Sequence, residues 1–200
     1  MKSLRKSYTM KAGDEYYTPK VLVDVIMPFV NNYIDAIYGN WYSGKPIPRV
    51  WCPFDTEKSE FVKALKQRKD IELIYSHISE PDGDFFEKIK TIGYVDLVVS
   101  NPPFSKKLDI IKALNEKNIT FALLLNIECL NYQVMGNYFA DNPISLIIPD
   151  KKVSFDGHQA GFCSGYICSP SFTQEENSVQ FVHCEHNNTK DNFVPSEMYS

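Results

Sequence analysis

Apolar residues recur along this chain at two spacings, and these alternate from about residue 21 to residue 127. Apolar positions three and four residues apart predict helices. The predicted helices cover residues 21–37, 59–67, 84–90 and 108–115. Short, nearly continuous apolar runs predict strands over residues 49–52, 71–75, 95–100 and 121–127. The last run is typical of a strand that is buried on both faces of a parallel sheet.

This alternation predicts a doubly wound α/β sheet, in which ligands lie beyond the carboxyl ends of the strands. After residue 127 the pattern changes to three apolar runs that are separated by turn residues. These runs, 144–148, 161–169 and 178–183, are expected to complete the mostly parallel sheet with an antiparallel pair. We expect one domain over residues 13–200, preceded by a basic arm over residues 1–12.

Composition narrows the class of protein without deciding its function. The 200 residues are 44% hydrophobic and 23% charged, which is typical of a globular domain. With no run of 18 apolar residues and no apolar signal segment, we expect a cytoplasmic protein with no membrane partner. The net charge of −4 argues against coating of nucleic acid by bulk charge. The basic arm either contacts phosphates or is simply solvated.

The five cysteines form no regular framework, so we expect reduced thiols that mostly pack as small apolar residues. Zinc binding by Cys163, Cys168, Cys184 and His186 is the alternative. Their spacing departs from the usual ligand patterns, and no metal is therefore expected.

The strongest chemical signal is the tetrad Asn101-Pro102-Pro103-Phe104, which directly follows the predicted strand 95–100. An exocyclic base amine is a poor nucleophile because its lone pair is delocalised into the ring. The side-chain oxygen of Asn101 and the proline-stiffened carbonyl of Pro102 are suitable acceptors for the two amine hydrogens. Phe104 offers a face for stacking a base that has left its duplex. Alternatively, the tetrad merely ends a strand in a tight turn.

Asn-Pro-Pro-Phe resembles the catalytic motif of S-adenosylmethionine-dependent amino-methyltransferases. The resemblance implies a Rossmann-like seven-stranded sheet, S-adenosylmethionine as cofactor and the four residues 101–104 as the catalytic group. The segment 13–19, Gly-Asp-Glu-Tyr-Tyr-Thr-Pro, is similar to the cofactor motif that opens many adenine-N6 enzymes. It implies that Tyr17, Thr18 and Pro19 contact the cofactor. Taken alone, these residues are a plausible helix entry, with Thr18 as N-cap and Pro19 in the first turn.

The predicted first strand departs from the family pattern, because Trp-Cys-Pro-Phe-Asp at 51–55 replaces the usual glycine-rich loop. This stretch resembles that of the EcoRI-like adenine methyltransferases, including small phage and prophage members. By that resemblance Cys52, Pro53 and Asp55 are expected at the cofactor, with Phe54 beside Pro53 as a wall of its pocket. A packed aromatic loop is the alternative.

The resemblance also implies two cofactor contacts after the predicted second strand. His77 stands near the place where the family usually has an acidic residue for the ribose, although it is equally consistent with a surface histidine. Asp84 and Phe85 match the family position that binds the cofactor's adenine ring. The alternative for Asp84 is a helix N-cap.

The resemblance therefore predicts a DNA adenine-N6 methyltransferase. DNA is the expected partner, and the short chain makes a separate specificity partner plausible. Two alternatives remain: an enzyme for another planar amine (cytosine N4, an RNA base or protein glutamine) and an inactive nucleic-acid-binding relative. Two lysine pairs, Lys106-Lys107 and Lys151-Lys152, are expected to contact phosphates or to be solvated.

Overall fold

The computed structural model describes residues 17–38, 47–153, 155 and 163–184. The predicted basic arm, the start of the segment 13–19 and His186 lie outside these residues. In the described part of the chain, no helix combines the length and the apolar character that crossing a membrane requires.

The helices and strands follow the predicted alternation. The helices are α1 Lys20–Tyr38, α2 Glu60–Leu65, α3 Phe85–Thr91, α4 Lys107–Glu116, α5 Gln133–Asp141 and α6 Pro170–Thr173. Two 3₁₀ helices cover Phe104–Lys106 and Ile127–Asn131. The strands are β1 Arg49–Cys52, β2 Glu72–Tyr75, β3 Leu97–Ser100, β4 Thr120–Asn126, β5 Ser145–Pro149, β6 Ser164–Cys168 and β7 Val179–Val182.

The seven strands form one sheet in the order β2-β1-β3-β4-β6-β5-β7. Strand β6 runs antiparallel to both of its neighbours, β4 and β5, and the other pairings are parallel. This confirms the predicted α/β class and its mostly parallel sheet. The antiparallel part is a single reversed strand between two parallel ones, and the last strand, β7, pairs in parallel with β5.

The strand order reverses between β1 and β3. From β1 the chain moves to β2 on one side, returns to β3 on the other side and continues to β4. Connections that leave in opposite directions open a crevice beyond the carboxyl ends of the strands, where open α/β sheets bind ligands. The β1–β3 ladder has two registered pairs, Val50 with Leu97 and Trp51 with Val98.

Helices cover both faces of this sheet. Successive strand residues point to opposite faces, so Val50 and Cys52 pack with α1, α2 and α6, whereas Trp51 packs with α3, α4 and α5. Two buried tyrosines join α1 to the sheet. The Tyr33 hydroxyl donates to Thr120 Oγ1 at 3.0 Å, and that of Tyr166 donates to the Leu22 carbonyl at 2.7 Å.

The sequence pattern missed α5, α6 and both 3₁₀ helices. Helix α5 carries Gly136 and buries only Met135, so its apolar stripe is too narrow to stand out. Helix α6 has four residues, and such a length gives no periodic signal. These elements form because the neighbouring sheet and helices pack on them.

Replacing Tyr166 by Phe tests the contact between α1 and the sheet. The ring stays buried, but the hydrogen bond to Leu22 is lost. We expect the free energy of unfolding to fall by about 1 kcal/mol in urea denaturation. Tyr132→Phe removes a hydroxyl from a side chain that is 54% exposed and should change little. Equal stabilities of the two variants would contradict the assigned role of Tyr166.

Candidate active site

A pocket lies in the crevice at the carboxyl ends of β1, β2 and β3. It contains about 880 Å³ of empty space, including space open to solvent. The lining residues come from the start of α1 and from the segments that follow these three strands. They are Tyr17, Thr18, Phe54, Asp55, Thr56, Ser59, His77, Ile78, Gly83, Asp84, Phe85, Phe86, Asn101, Pro102, Pro103, Phe104, Lys106 and Ile110. The four residues of the tetrad and six predicted cofactor residues therefore share one cavity.

The tetrad leaves β3 directly into the pocket. Its second residue, Pro102, is buried, and the other three are half-buried. The Pro103 carbonyl accepts a hydrogen bond from the Lys106 amide, and the Phe104 carbonyl accepts one from Lys107 Nζ, both at 3.1 Å. The 3₁₀ turn thus fixes the second half of the tetrad.

Asp55 lies where the loops after β1, β2 and β3 meet. Its side chain is buried, with the residue only 5% exposed, and still lines the pocket. Its amide donates to the Ser76 carbonyl at 3.1 Å, and its Oδ2 accepts from the Ser100 hydroxyl. A carboxylate in this place provides negative charge in a largely apolar cavity, which suits a cationic ligand group.

Asp84 is the N-cap of α3. Its Oδ1 accepts hydrogen bonds from the amides of Phe86 at 2.8 Å and Glu87 at 3.1 Å. The N-cap interpretation is therefore confirmed. Because both bonds go to one oxygen and the half-buried side chain lines the pocket, capping and ligand binding are compatible.

Phe85 belongs more to the core than to the pocket surface. It is 5% exposed and stacks on Trp51, with ring centroids 5.4 Å apart and an interplanar angle of 13°. The ring centroids of Phe54 and Phe86 lie 5.2 and 5.1 Å from that of Phe85. Both side chains are half-buried on the pocket wall. These two rings, held by Phe85, present the more accessible aromatic faces.

The segment from His77 to Gly83 closes the pocket beside β2. His77 Nδ1 accepts from the Ser79 amide at 3.2 Å and lies 2.6 Å from the Ser79 hydroxyl. In the neutral ring an accepting Nδ1 places the proton on Nε2. A Cβ on Gly83 would lie 1.7 Å from the His77 carbonyl oxygen, so the two backbones meet at a distance that only glycine permits.

Three predicted cofactor residues do not line the pocket. Cys52 is fully buried in β1, and burial raises the pKa of its thiol well above the ordinary value. Pro53 is buried in the turn after β1. Pro19 precedes α1, and its carbonyl accepts from the Leu22 amide at 3.0 Å. The side chains of these three residues therefore lie outside the pocket lining.

Sequence reasoning missed several lining residues. They are Thr56, Ser59, Ile78, Gly83, Phe86 and Ile110. The Ser59 hydroxyl accepts from the Thr56 amide at 3.0 Å, and the only signal for that turn was a serine as the first residue of the predicted helix 59–67. The others come from loops and helix faces whose orientation depends on tertiary packing.

The lysines differ in their surroundings. Lys106 lines the pocket, and its Nζ lies 3.7 Å from Asp109 Oδ2. Lys107 Nζ bonds the Phe104 carbonyl and lies 5.5 Å from the centre of the Tyr132 ring. The pair Lys151-Lys152 follows β5 and is not part of the lining.

Comparison with family models and with curated proteins gives no match for this sequence. The residues of the pocket are therefore the basis for inferring a function. Among the described residues, no three His, Cys, Asp or Glu side chains form a group that could hold a metal ion.

Replacing Gly83 by Ala tests whether the close approach to His77 shapes the pocket. The added methyl group must open the turn, so we expect the free energy of unfolding to fall by roughly 1–3 kcal/mol. The matched control is Gly136→Ala in α5, where the nearest atom would be 3.9 Å away. That helix should gain about 0.5–1 kcal/mol. Urea denaturation of both variants distinguishes them, and a Gly83→Ala protein as stable as wild type would contradict this account.

Proposed function

We propose that this protein transfers a methyl group from S-adenosylmethionine to an exocyclic base amine, most specifically N6 of adenine in DNA. One observation carries the proposal. The Asn-Pro-Pro-Phe tetrad, the buried carboxylate of Asp55 and the carboxylate of Asp84 line the same pocket at the point where the strand order reverses.

The chemistry of the pocket fits the cofactor. Asp55 suits an ammonium group, and Asp84 suits the exocyclic amine of an adenine ring, since carboxylates accept hydrogen bonds. Phe54 and Phe86 provide apolar walls for that ring. Thr56 adds a hydroxyl within the same lining. When bound, S-adenosylmethionine supplies an electrophilic methyl group: the methyl–sulfur bond breaks to leave a thioether, and the amine nitrogen gains the methyl group and gives up a proton.

The tetrad prepares the amine for this transfer. The Asn101 side-chain oxygen and the Pro102 carbonyl accept from the two amine hydrogens, which favours a nitrogen with an available lone pair. Phe104 stacks on the extruded base. The prolines stiffen the backbone that carries these acceptors, and the 3₁₀ turn fixes the two residues that follow, so little reorganisation is needed during the reaction.

The direct test is incubation of the purified protein with S-adenosylmethionine that carries a labelled methyl group. Duplex DNA, single-stranded DNA, RNA and protein are offered as separate acceptors. We expect N6-methyladenine in DNA. Labelled cytosine, RNA or glutamine would move the activity to another planar amine, and no transfer to any acceptor would contradict the proposal.

Asn101→Ala removes an acceptor that acts mainly in the transition state. We expect kcat to fall on the order of 100-fold or more, while the Kd of S-adenosylmethionine stays nearly unchanged. Single-turnover kinetics and calorimetry measure the two quantities. Asn115→Ala is the control, because Asn115 bonds the Tyr138 hydroxyl outside the pocket lining. An active Asn101→Ala enzyme would contradict the assigned role.

Asp84→Asn separates helix capping from cofactor binding. Asn is as good an N-cap as Asp, so the free energy of unfolding should stay within about 0.5 kcal/mol of wild type. The Kd of S-adenosylmethionine should rise about tenfold, because an amide is a weaker acceptor than a carboxylate. Asp84→Ala loses both functions and should also lose about 1 kcal/mol of stability. An unchanged Kd in Asp84→Asn would restrict Asp84 to capping.

A further inference from the structure

Ser100 is a buried polar residue that the proposed reaction does not yet use. It is the last residue of β3, directly before Asn101, and is 0% exposed. Its hydroxyl donates to Asp55 Oδ2. Ser100 is absent from the pocket lining, whereas both Asp55 and Asn101 belong to it.

This hydrogen bond lies beyond the end of the β1–β3 ladder. The β1–β3 ladder ends at the pair Trp51–Val98, and the two chains continue beyond it into the crevice. There the side chains of Ser100 and Asp55 join the two segments across the opening. On its other side Asp55 is held by its amide bond to the Ser76 carbonyl. The end of β3 thus holds the carboxylate of Asp55, and the segment that follows β2 holds its backbone.

Because Asp55 is buried, the Ser100 hydroxyl is important for stabilising its carboxylate. A buried carboxylate is costly unless donors replace its lost hydration. A serine hydroxyl supplies such a donor, and a carboxylate oxygen accepts without competing for the proton. Removing the hydroxyl takes away the hydrogen bond that Ser100 donates to this carboxylate oxygen.

We propose that Ser100 is a positioning residue that orients the Asp55 carboxylate toward the positively charged part of the cofactor. Through this bond the strand that carries the tetrad also sets cofactor affinity. The inference rests on the proposed methyltransferase function. Asp55 contacts the cofactor, and Ser100 acts only through Asp55.

The test compares Ser100→Ala with Ser164→Ala. Ser164 lies in β6 of the same sheet, is 6% exposed, and its hydroxyl has no hydrogen-bond partner in the described structure. Each variant therefore removes one buried serine hydroxyl, but only one of them loses a bond to a carboxylate. Calorimetry gives the Kd of S-adenosylmethionine, and steady-state kinetics separate KM from kcat.

We expect Ser100→Ala to raise the Kd and the KM for S-adenosylmethionine roughly tenfold or more, since the lost bond is to a charged group. At saturating cofactor kcat should stay within about threefold of wild type, because the tetrad is intact. In an Asp55→Ala background the same substitution should have little further effect, which a double-mutant cycle measures. Ser164→Ala should leave all these quantities at their wild-type values.

Ser100→Cys is the second variant, for the case that Ser100→Ala does not fold. It fills the space of the hydroxyl and donates only weakly. A folded Ser100→Cys protein with weakened cofactor binding and a normal kcat supports the proposal.

Three results would overturn this inference. The first is a Kd in Ser100→Ala, or in folded Ser100→Cys, equal to that of Ser164→Ala. The second is a loss of kcat with unchanged Kd, since Ser100 would then act on Asn101. The third is an undiminished effect of Ser100→Ala in the Asp55→Ala background. A wild-type protein that neither binds S-adenosylmethionine nor transfers methyl groups would instead overturn the proposed function, and this inference with it.

Discussion

The separation of β1 from β3 at their carboxyl ends is the constraint on which the rest of the structure depends. The ladder between them has two registered residue pairs, and the connections then leave in opposite directions. Backbone hydrogen bonds can no longer join the chains, so side chains and loops take over that task. The side chains of Ser100 and Asp55 join them by a hydrogen bond, and the Asp55 amide bonds the Ser76 carbonyl on the β2 side. The pocket is the space that remains between the loops.

Apolar residues pack on both faces of the sheet, and the pocket opens at the carboxyl ends of its strands. All four residues of β3 are buried, and an aromatic group of Trp51, Phe85, Phe54 and Phe86 forms a continuous wall from the core to the pocket. A site supported by strands and interlocked rings holds its acceptors in place before a ligand binds. This rigidity suits a reaction that depends on positioning and electrostatics.

Several atoms serve stability and the proposed function together. One oxygen of Asp84 caps α3 while the carboxylate lines the pocket. Lys107, expected from the sequence to meet phosphate or solvent, bonds the Phe104 carbonyl of the tetrad. The loop after β1, residues 53–59, contains no glycine, whereas Gly83 permits a close backbone approach on the β2 side of the pocket. Close packing in this pocket thus depends on a glycine in a different loop.

Local patterns in the sequence determined most of the fold and several residues of the candidate site. Alternating apolar runs fixed the strands up to β4 and the helices between them, because burial against a two-sided sheet leaves a strong periodic trace. The tetrad after β3 and the carboxylates Asp55 and Asp84 also followed from local pattern and resemblance. Short elements such as α6 gave no periodic signal in the sequence. Only tertiary packing decided that Cys52 faces the core, that Phe86 lines the pocket and that Ser100 bonds Asp55. Such contacts join residues far apart in the chain, and their geometry is set by how the sheet twists and the loops close, which no local spacing encodes.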